Sequence, residues 1–188
     1  MKKIGVLAMQ GAVDEHLKKL KAVGAAGRKI RSEDELDQID GIIIPGGEST
    51  AIGKLLEAFG LMEPLHKKID AGMPVWGTCA GMILLAKHIC DQKKTYLNAM
   101  DILVRRNAYG GQLDSFTAMQ RVKHVSANEI PMVFIRAPYI DKADKGVEIL
   151  AETRGHIIAA KQKNMLATSF HPELTADNSF HKYFVELC

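Results

Sequence analysis

Apolar and polar residues alternate in blocks along the first half of the chain. Three short, continuous apolar runs, Ile4 to Ala8, Gly41 to Ile44 and Pro74 to Gly77, predict strands that are covered on both faces. Between the first two runs, apolar positions recur at helical spacing from Val13 to Val23, and Gly24 is expected to end that helix. Repeated strand–helix units of this length predict a mostly parallel sheet with helices on both faces.

Further helices are predicted from apolar periodicity. One passes through Leu55 and Leu56, and the next surrounds Leu65 and Ile69. The apolar run from Met82 to Ile89 is interpreted as a single buried helix. A last helix is expected at about 176–187, with its aromatic residues on one face.

The second half of the chain contains short strand-like runs separated by turns. These runs are Ile102 to Val104, Phe116 to Val122, Met132 to Arg136, Val147 to Glu152, Ile157 to Lys161 and Met165 to Phe170. They predict antiparallel strands added to the edge of the sheet. The expected architecture is therefore a single α/β domain over residues 1–188, with a three-layer, mostly parallel, flavodoxin-like sheet.

Composition and charge exclude several classes of protein. Hydrophobic residues make up 47% and charged residues 25% of the 188, which is typical of a soluble globular protein and not of a disordered or fibrous one. The net charge of +3 is spread along the chain, and no block of Lys and Arg exceeds two residues, so we expect no nucleic-acid partner. The longest uncharged stretch, Ala71 to Ala86, falls short of the roughly 20 apolar residues that cross a bilayer, so we expect no membrane association.

The cysteines point to reduced thiols. Cys79, Cys90 and Cys188 form an odd set without a C-x-x-C pair, which predicts neither a disulfide framework nor a zinc site. We expect a cytoplasmic protein, because a reducing compartment keeps such thiols free.

The strongest chemical signal is Gly77-Thr78-Cys79-Ala80-Gly81, between a predicted strand and a predicted helix. It has the G-x-nucleophile-x-G spacing of a nucleophile elbow, with Cys in the place of Ser. A sharp turn of this kind needs flanking glycines, because side chains there would collide. The following helix N-terminus favours a thiolate, and the backbone N–H of Ala80 is free to face an oxyanion. The alternative interpretation is a small buried cysteine in a glycine-rich turn.

A base for this thiol is predicted at His171-Pro172-Glu173, directly after the strand that begins at Met165. Proline favours extended geometry for His171, and residues two apart in an extended chain face the same side. Glu173 can therefore hold one ring nitrogen of His171 and leave the other for Cys79, as in a catalytic triad. By itself, the tripeptide is also compatible with a simple strand-to-loop connection.

Three further segments are candidates for ligand binding. The loop Pro45-Gly46-Gly47-Glu48-Ser49-Thr50 follows a buried strand, allows close backbone approach and offers a second oxyanion N–H near Gly47. It lacks the lysine and the spacing of a phosphate-binding Walker A loop. Arg106 lies in a polar, turn-rich segment that is compatible with carboxylate binding or with a solvated loop, and Arg136 ends a predicted strand close to the same pocket.

Taken together, these motifs resemble the class I glutamine amidotransferases. Within that superfamily, the chain is similar to the glutaminase subunits of pyridoxal 5′-phosphate synthase. The motifs that carry the closer resemblance occur in the same order over almost the whole chain. They are Gly5 to His16, Pro45 to Thr50, Gly77 to Gly81, Arg106 to Gly110, Phe134 to Pro138 and Ser169 to Thr175.

The resemblance implies a role for each matching position. Cys79 is the expected nucleophile, with His171 and Glu173 completing the triad. Glutamine is expected to be held by Gly47, Glu48, Ser49, Arg106, Ile135 and Arg136. The expected oxyanion hole is formed by Gly47 and Ala80. One departure is Gly111 in Tyr109-Gly110-Gly111-Gln112, where the family usually has Arg.

The implied reaction is the hydrolysis of L-glutamine to glutamate and ammonia through a glutamyl thioester, without a metal or an organic cofactor. The implied partner is a synthase subunit that takes up the ammonia, in a hetero-oligomer that makes pyridoxal 5′-phosphate. Two alternatives stay open at this point. The chain could be the glutaminase subunit of another biosynthetic synthase, or a non-catalytic, amidotransferase-like interaction subunit.

Overall fold

The computed structural model describes residues 1–106 and 115–188. The strands are β1 (Lys3–Leu7), β2 (Ala26–Ile30), β3 (Gly41–Ile44), β4 (Val75–Thr78), β5 (Ala86–Ile89), β6 (Met100–Arg105), β7 (Phe116–Val122), β8 (Ser126–Phe134), β9 (Tyr139–Ala143), β10 (Glu148–Thr153), β11 (His156–Gln162) and β12 (Met165–Thr168). The helices are α1 (Val13–Ala22), α2 (Glu33–Leu36), α3 (Ser49–Ala58), α4 (Met62–Asp70), α5 (Ala80–Leu85) and α6 (Ser179–Leu187), with a 3-10 turn at Pro172–Leu174.

The large sheet has the strand order β2-β1-β3-β4-β12-β11-β9-β6-β5. Its first five strands run parallel to one another. Strand β11 is antiparallel to β12, β9 and β10, and β9 is antiparallel to β6. The predicted α/β class, a mostly parallel sheet with antiparallel additions, is confirmed. The prediction that Met165 to Phe170 is an antiparallel edge strand is wrong, because Met165–Thr168 forms β12, which lies inside the sheet and is parallel to β4. Strands β7 and β8 pair separately as an antiparallel ribbon.

Helices cover both faces of the parallel part because its strands are apolar on both sides. Ile42 and Ile44 of β3 pack in one core cluster with Ile52 of α3. Ile43 points to the opposite face, where it shares a second cluster with Phe184 of α6. The continuous apolar runs that predict doubly covered strands therefore correspond to a three-layer arrangement.

The predicted helix from Met82 to Ile89 is wrong in its second half. Helix α5 ends at Leu85, and Ala86 takes extended backbone angles (φ −65°, ψ 138°). Residues Ala86–Ile89 instead pair with β6 in parallel. An unbroken apolar run has no periodicity that separates a buried helix from a buried strand, so only the neighbouring strand decides between them.

The sheet order places three loops next to one another. Strands β3, β4 and β12 are parallel neighbours, so their carboxyl ends lie at the same edge. The segments that leave these ends begin at Pro45, Cys79 and Ser169, and they carry the residues with predicted chemistry. In an open α/β sheet this edge is where ligands bind. No helix within the described part of the chain is long and apolar enough to cross a membrane.

Candidate active site

Cys79 occupies a sharp turn between β4 and α5. Its backbone angles, φ 50° and ψ −106°, are unusual for a residue with a side chain. The turn is held by a hydrogen bond of 2.8 Å from the Cys79 N–H to the carbonyl of Thr168 on β12. Strain of this kind persists only where the surroundings enforce it, and it is common at functional sites.

The glycines on either side of Cys79 are required by close backbone contacts. A Cβ atom at Gly77 would overlap the backbone carbonyl group of Gly81. A Cβ atom at Gly81 would overlap the carbonyl oxygen of Ile44 at the end of β3. The sequence-based explanation of the G-x-C-x-G spacing, that side chains would collide, is confirmed.

His171 is held between Glu173 and Cys79. Its Nδ1 lies 2.8 Å from Oε1 of Glu173, and its backbone N–H donates to the carbonyl of Val133 at 2.8 Å. Burial alone would disfavour the charged ring, but hydrogen bonds with Cys79 and Glu173 outweigh it and raise the pKa of His171 to about 10. The arrangement favours an imidazolium next to a cysteine sulfur.

Glu173 is a buried carboxylate with histidines on two sides. Burial would raise the pKa of Glu173, yet the hydrogen bond from His171 and the proximity of His16 lower it below its usual value. Nε2 of His16 lies 3.5 Å from Oε2 of Glu173. Nδ1 of His16 in turn lies 2.9 Å from Nε2 of His181.

The glycine-rich loop after β3 packs against this cluster. Gly47 has a φ of 145°, in the region that favours glycine. The N–H of Glu48 donates to Oε1 of Gln10 at 2.6 Å, so the turn after β1 fixes the loop. The Glu48 carboxylate accepts hydrogen bonds from the backbone N–H groups of Thr50 and Ala51 and thereby caps α3.

One pocket contains all the residues that the sequence singled out for substrate binding. Its lining is Gly47, Glu48, Ser49, Cys79, Ala80, Ile83, Arg106, Ile135, Arg136 and Pro138. Nη2 of Arg106 lies 3.0 Å from Oε1 of Glu48, so the pocket presents a paired cation and anion. The Ser49 hydroxyl is buried and has no hydrogen-bond partner within residues 1–106 and 115–188.

Two histidines near the site were not assigned a role of their own from the sequence: His16 adjoins Glu173, and His181 adjoins His16. Gln10, in the turn after β1, contacts the glycine-rich loop. A signal for His16 was present, since it stands three residues after Val13, on the face that α1 buries. No local signal joins His181 to His16, because the contact depends on how α6 packs against α1.

Gly111 and the rest of the segment 107–114 lie outside the described residues. Among the residues that are described, no group of three or more His, Cys, Asp or Glu side chains is arranged to hold a metal ion.

Comparison with known proteins decides the family. Residues 6–188 match the model of the SNO glutamine amidotransferase family. The chain belongs to this family. The resemblance to glutamine amidotransferases that the sequence motifs indicated is therefore confirmed.

Two relatives in this family illustrate how close the match is. The pyridoxal 5′-phosphate synthase subunit PdxT of Ruminiclostridium cellulolyticum is 56% identical over 188 residues, which is 100% of both chains. The protein of the same name from Clostridium kluyveri is 52% identical over 99% of both chains. The closer resemblance, to the glutaminase subunits of this synthase, is thus confirmed as well.

Solved structures agree with the fold. A crystal structure described as a glutamine amidotransferase superposes with a TM-score of 0.92 at 40% identity and covers 98% of this chain and 97% of that one. The structure of PurLQS from Thermotoga maritima superposes with a TM-score of 0.70 at 15% identity and covers 99% of both chains, which shows a shared fold.

Proposed function

We propose that this glutamine amidotransferase hydrolyses the side-chain amide of L-glutamine with Cys79 as nucleophile, His171 as acid and base, and Glu173 as the group that orients His171. The observation that carries the proposal is the hydrogen-bonded series Glu173–His171–Cys79 beside a pocket with paired charges. A nucleophile, a base and an orienting carboxylate in contact are what covalent catalysis requires.

In the first step, the Cys79 thiolate attacks the amide carbon of glutamine. The carbonyl oxygen becomes an oxyanion, which the backbone N–H groups of Gly47 and Ala80 stabilise. Ala80 is the first residue of α5, where helix geometry leaves the N–H without an intrahelical acceptor. Each donor of this kind contributes about 3 kcal/mol to the stability of the transition state.

The oxyanion then collapses and the carbon–nitrogen bond breaks. The His171 imidazolium gives its proton to the leaving nitrogen, so ammonia departs and a glutamyl thioester remains on Cys79. The raised pKa of His171 keeps the acid form available at neutral pH before the thiolate reacts.

In the second step, neutral His171 removes a proton from water as the water attacks the thioester. The carbon–sulfur bond breaks, glutamate forms, and the thiolate and the imidazolium are restored. Acid–base assistance of this type contributes roughly 10²–10⁴-fold to the rate.

The charged pair in the pocket fits the amino acid end of glutamine. We assign the α-carboxylate to Arg106, supported by Arg136, because a guanidinium binds a carboxylate through two parallel hydrogen bonds. Glu48 is suited to the α-ammonium group, and the unpartnered Ser49 hydroxyl is available to the substrate within the described part of the pocket. Gly47 and Ile135 would complete the contact surface.

The ammonia should pass to a synthase subunit that forms pyridoxal 5′-phosphate, since the relatives at 52–56% identity are named as subunits of that synthase. Release into water would waste the ammonia. We therefore expect the lone chain to be a poor glutaminase that docking activates, with Gln10 as the link, because its side chain holds the backbone of Glu48 next to Gly47. We place the reaction in the cytoplasm, where a catalytic thiol stays reduced.

The test is glutamate release by the chain with and without the synthase subunit. We expect Cys79→Ser to abolish release in both conditions and Cys90→Ser, a change outside the pocket, to leave it unaltered. A mixture of the wild-type chain and the synthase subunit that releases no glutamate would contradict the proposal. Equal rates for the lone chain and the mixture would contradict activation by docking.

A further inference from the structure

The carboxylate of Glu173 has a second neighbour besides His171. One oxygen, Oε1, lies 2.8 Å from Nδ1 of His171, and the other, Oε2, lies 3.5 Å from Nε2 of His16. His16 continues to His181, whose Nε2 lies 2.9 Å from His16 Nδ1. The exposed fraction is 0% for His16 and His181 and 4% for Glu173, so this series of polar groups is shielded from water.

Both of these additional histidines are neutral. Burial is the largest cause, and it lowers the pKa of His16 and of His181 to about 3. A neutral imidazole carries one N–H and one lone pair, so each ring must donate on one side and accept on the other. The hydrogen bonds along this series of side chains can therefore run in either of two directions.

Only one direction satisfies Glu173. If His16 carried its proton on Nδ1, its Nε2 lone pair would face the Oε2 of a carboxylate, and two acceptors would be buried against each other. If the proton is on Nε2, His16 donates toward Oε2 of Glu173, and its Nδ1 accepts from the Nε2–H of His181. The Nδ1 lone pair of His181 is left without a partner among residues 1–106 and 115–188, and Nε2 of His16 and Oε2 of Glu173 have no partner there nearer than each other, at 3.5 Å.

The surroundings hold the two rings in place. The Trp76 ring meets His16 edge-on at 5.8 Å and His181 edge-on at 4.9 Å between ring centroids. The Trp76 indole N–H donates to the Thr168 hydroxyl at 3.0 Å, which ties this packing to the strand that leads to His171. Because the His16 ring is packed in this way, its Nε2 stays directed at Glu173.

We infer that His16 is a positioning residue that fixes the Glu173 carboxylate by donating from Nε2 to Oε2, with His181 selecting the tautomer. The inference rests on the proposed function, because it matters for the rate only if Glu173 orients His171. Among the described residues, neither Oε2 of Glu173 nor Nε2 of His16 has a hydrogen bond of ordinary length, and the two atoms face each other at 3.5 Å. A small movement of either side chain would close this bond, and without His16 nothing in the described chain would restrain Oε2.

Three variants separate positioning from mere packing. His16→Gln keeps an amide N–H of similar reach, and His16→Leu keeps an apolar side chain of comparable bulk without any donor. Leu20→Ala removes buried contacts of the same helix, α1, in the core cluster that also contains Trp76, and it leaves Glu173 untouched. It is the matched control for a loss of stability alone.

The kinetic measurement is glutamate release in the presence of the synthase subunit, at a temperature where all variants are folded. We expect His16→Leu to lower kcat about tenfold with KM nearly unchanged, as is typical for loss of a supporting hydrogen bond. His16→Gln should retain kcat within about threefold, and Leu20→Ala should match the wild type.

The pH dependence of kcat distinguishes positioning from packing, because a loss of packing alone would not shift it. The groups that face Glu173 are His171, which follows β12, and His16 of α1, with His181 of α6 and Lys19 of α1 behind them. Loss of the His16 donor should let Glu173 take up a proton more readily. The acid limb of kcat should therefore move to higher pH in His16→Leu and stay in place in His16→Gln.

The tautomer can be observed without any assay of activity. Long-range nitrogen–proton NMR spectra of the wild-type chain should show the His16 proton on Nε2. A proton on Nδ1, or a His16→Leu variant with wild-type kcat and acid limb, would overturn the inference. His171→Ala separates a failure of this inference from a failure of the proposed function. If His171→Ala also retains full glutamate release, the proposed function is wrong. If His171→Ala is inactive, only the role of His16 is wrong.

Discussion

The backbone of Gly46 lies directly against the ring of His171. A Cβ atom at this glycine would come within 2.5 Å of Cε1 and 3.3 Å of Nδ1 of His171, and within 3.4 Å of Cβ of Cys79. The glycine-rich loop and the side chains of Cys79 and His171 therefore share one closely packed space. This contact explains why a residue without a side chain is needed at position 46.

Gly46→Ala should displace the His171 ring and lower kcat by a factor of about ten to a hundred, because a shift of about 1 Å in a catalytic group has effects of that size. Steady-state glutaminase kinetics would measure this change in kcat. Gly155→Ala is the control, since its Cβ would meet no atom within 4 Å. Its positive φ of 78° should reduce stability and leave kcat unchanged. Wild-type kcat in Gly46→Ala would contradict the packing argument.

Arg106→Ala should raise KM for glutamine about tenfold to a hundredfold, because a hydrogen bond to a charged group contributes roughly 1.5–3 kcal/mol, and should change kcat far less. Arg105→Ala is a matched control at the next position. The Arg105 guanidinium lies 3.7 Å from the carboxylates of Asp91 and Asp141, outside the pocket. An unchanged KM in Arg106→Ala would remove this residue from substrate binding.

His171→Ala should abolish turnover, while Glu173→Ala should lower kcat less. In the proposed mechanism the base takes part in both proton transfers and the carboxylate acts through the base, and orienting groups generally cost less to remove. Single-turnover measurements of ammonia and glutamate release would compare the two variants. Rates close to wild type for both would exclude the triad.

Stability should fall as the medium becomes acidic. His181 is buried, its pKa is about 3 in the folded chain, and an unfolded histidine binds a proton below about 6.5. The unfolded state thus gains a proton first, and the free energy of unfolding decreases as pH drops from about 6.5 toward 3, with a slope of up to about 1.4 kcal/mol per pH unit. Urea unfolding should show a difference in the free energy of unfolding between the wild type and His181→Gln that becomes smaller below about pH 6. A difference that does not change with pH would mean that the pKa of His181 is the same in the folded and unfolded states.

Local turn chemistry made much of the site predictable from sequence. The G-x-C-x-G spacing encodes contacts within a few residues of Cys79, and His171-Pro172-Glu173 encodes a contact between neighbours. The contact between His171 and Glu173 was predicted from an extended chain, whereas the structure forms it through the 3-10 turn at Pro172–Leu174. The two motifs meet because β4 pairs with β12, and these strands are about 90 residues apart in the sequence. No periodicity specifies that pairing, so the contact followed only from the chemistry of a triad.

Features that depend on tertiary partners were harder to predict. Strand β2 buries little besides Ile30, because it is at the sheet edge, and so it lacks an apolar run. The α5–β5 boundary at Ala86 lies inside an unbroken apolar segment. The approach of His181 to His16 needs the packing of α6 on α1, which neither helix pattern reveals.

Cys79 alone among the three thiols is expected to form the covalent intermediate. A glutamine-like chloroketone, followed by proteolysis and mass spectrometry, tests it directly on the full chain with the synthase subunit present. Cys79 lies in the pocket with the paired charges of Glu48 and Arg106, whereas burial raises the pKa of Cys90 and raises that of Cys188 to about 12. We predict one label per chain, on Cys79, and protection by glutamine. Labelling of Cys90 or Cys188 in its place, with full glutaminase activity retained, would contradict the account.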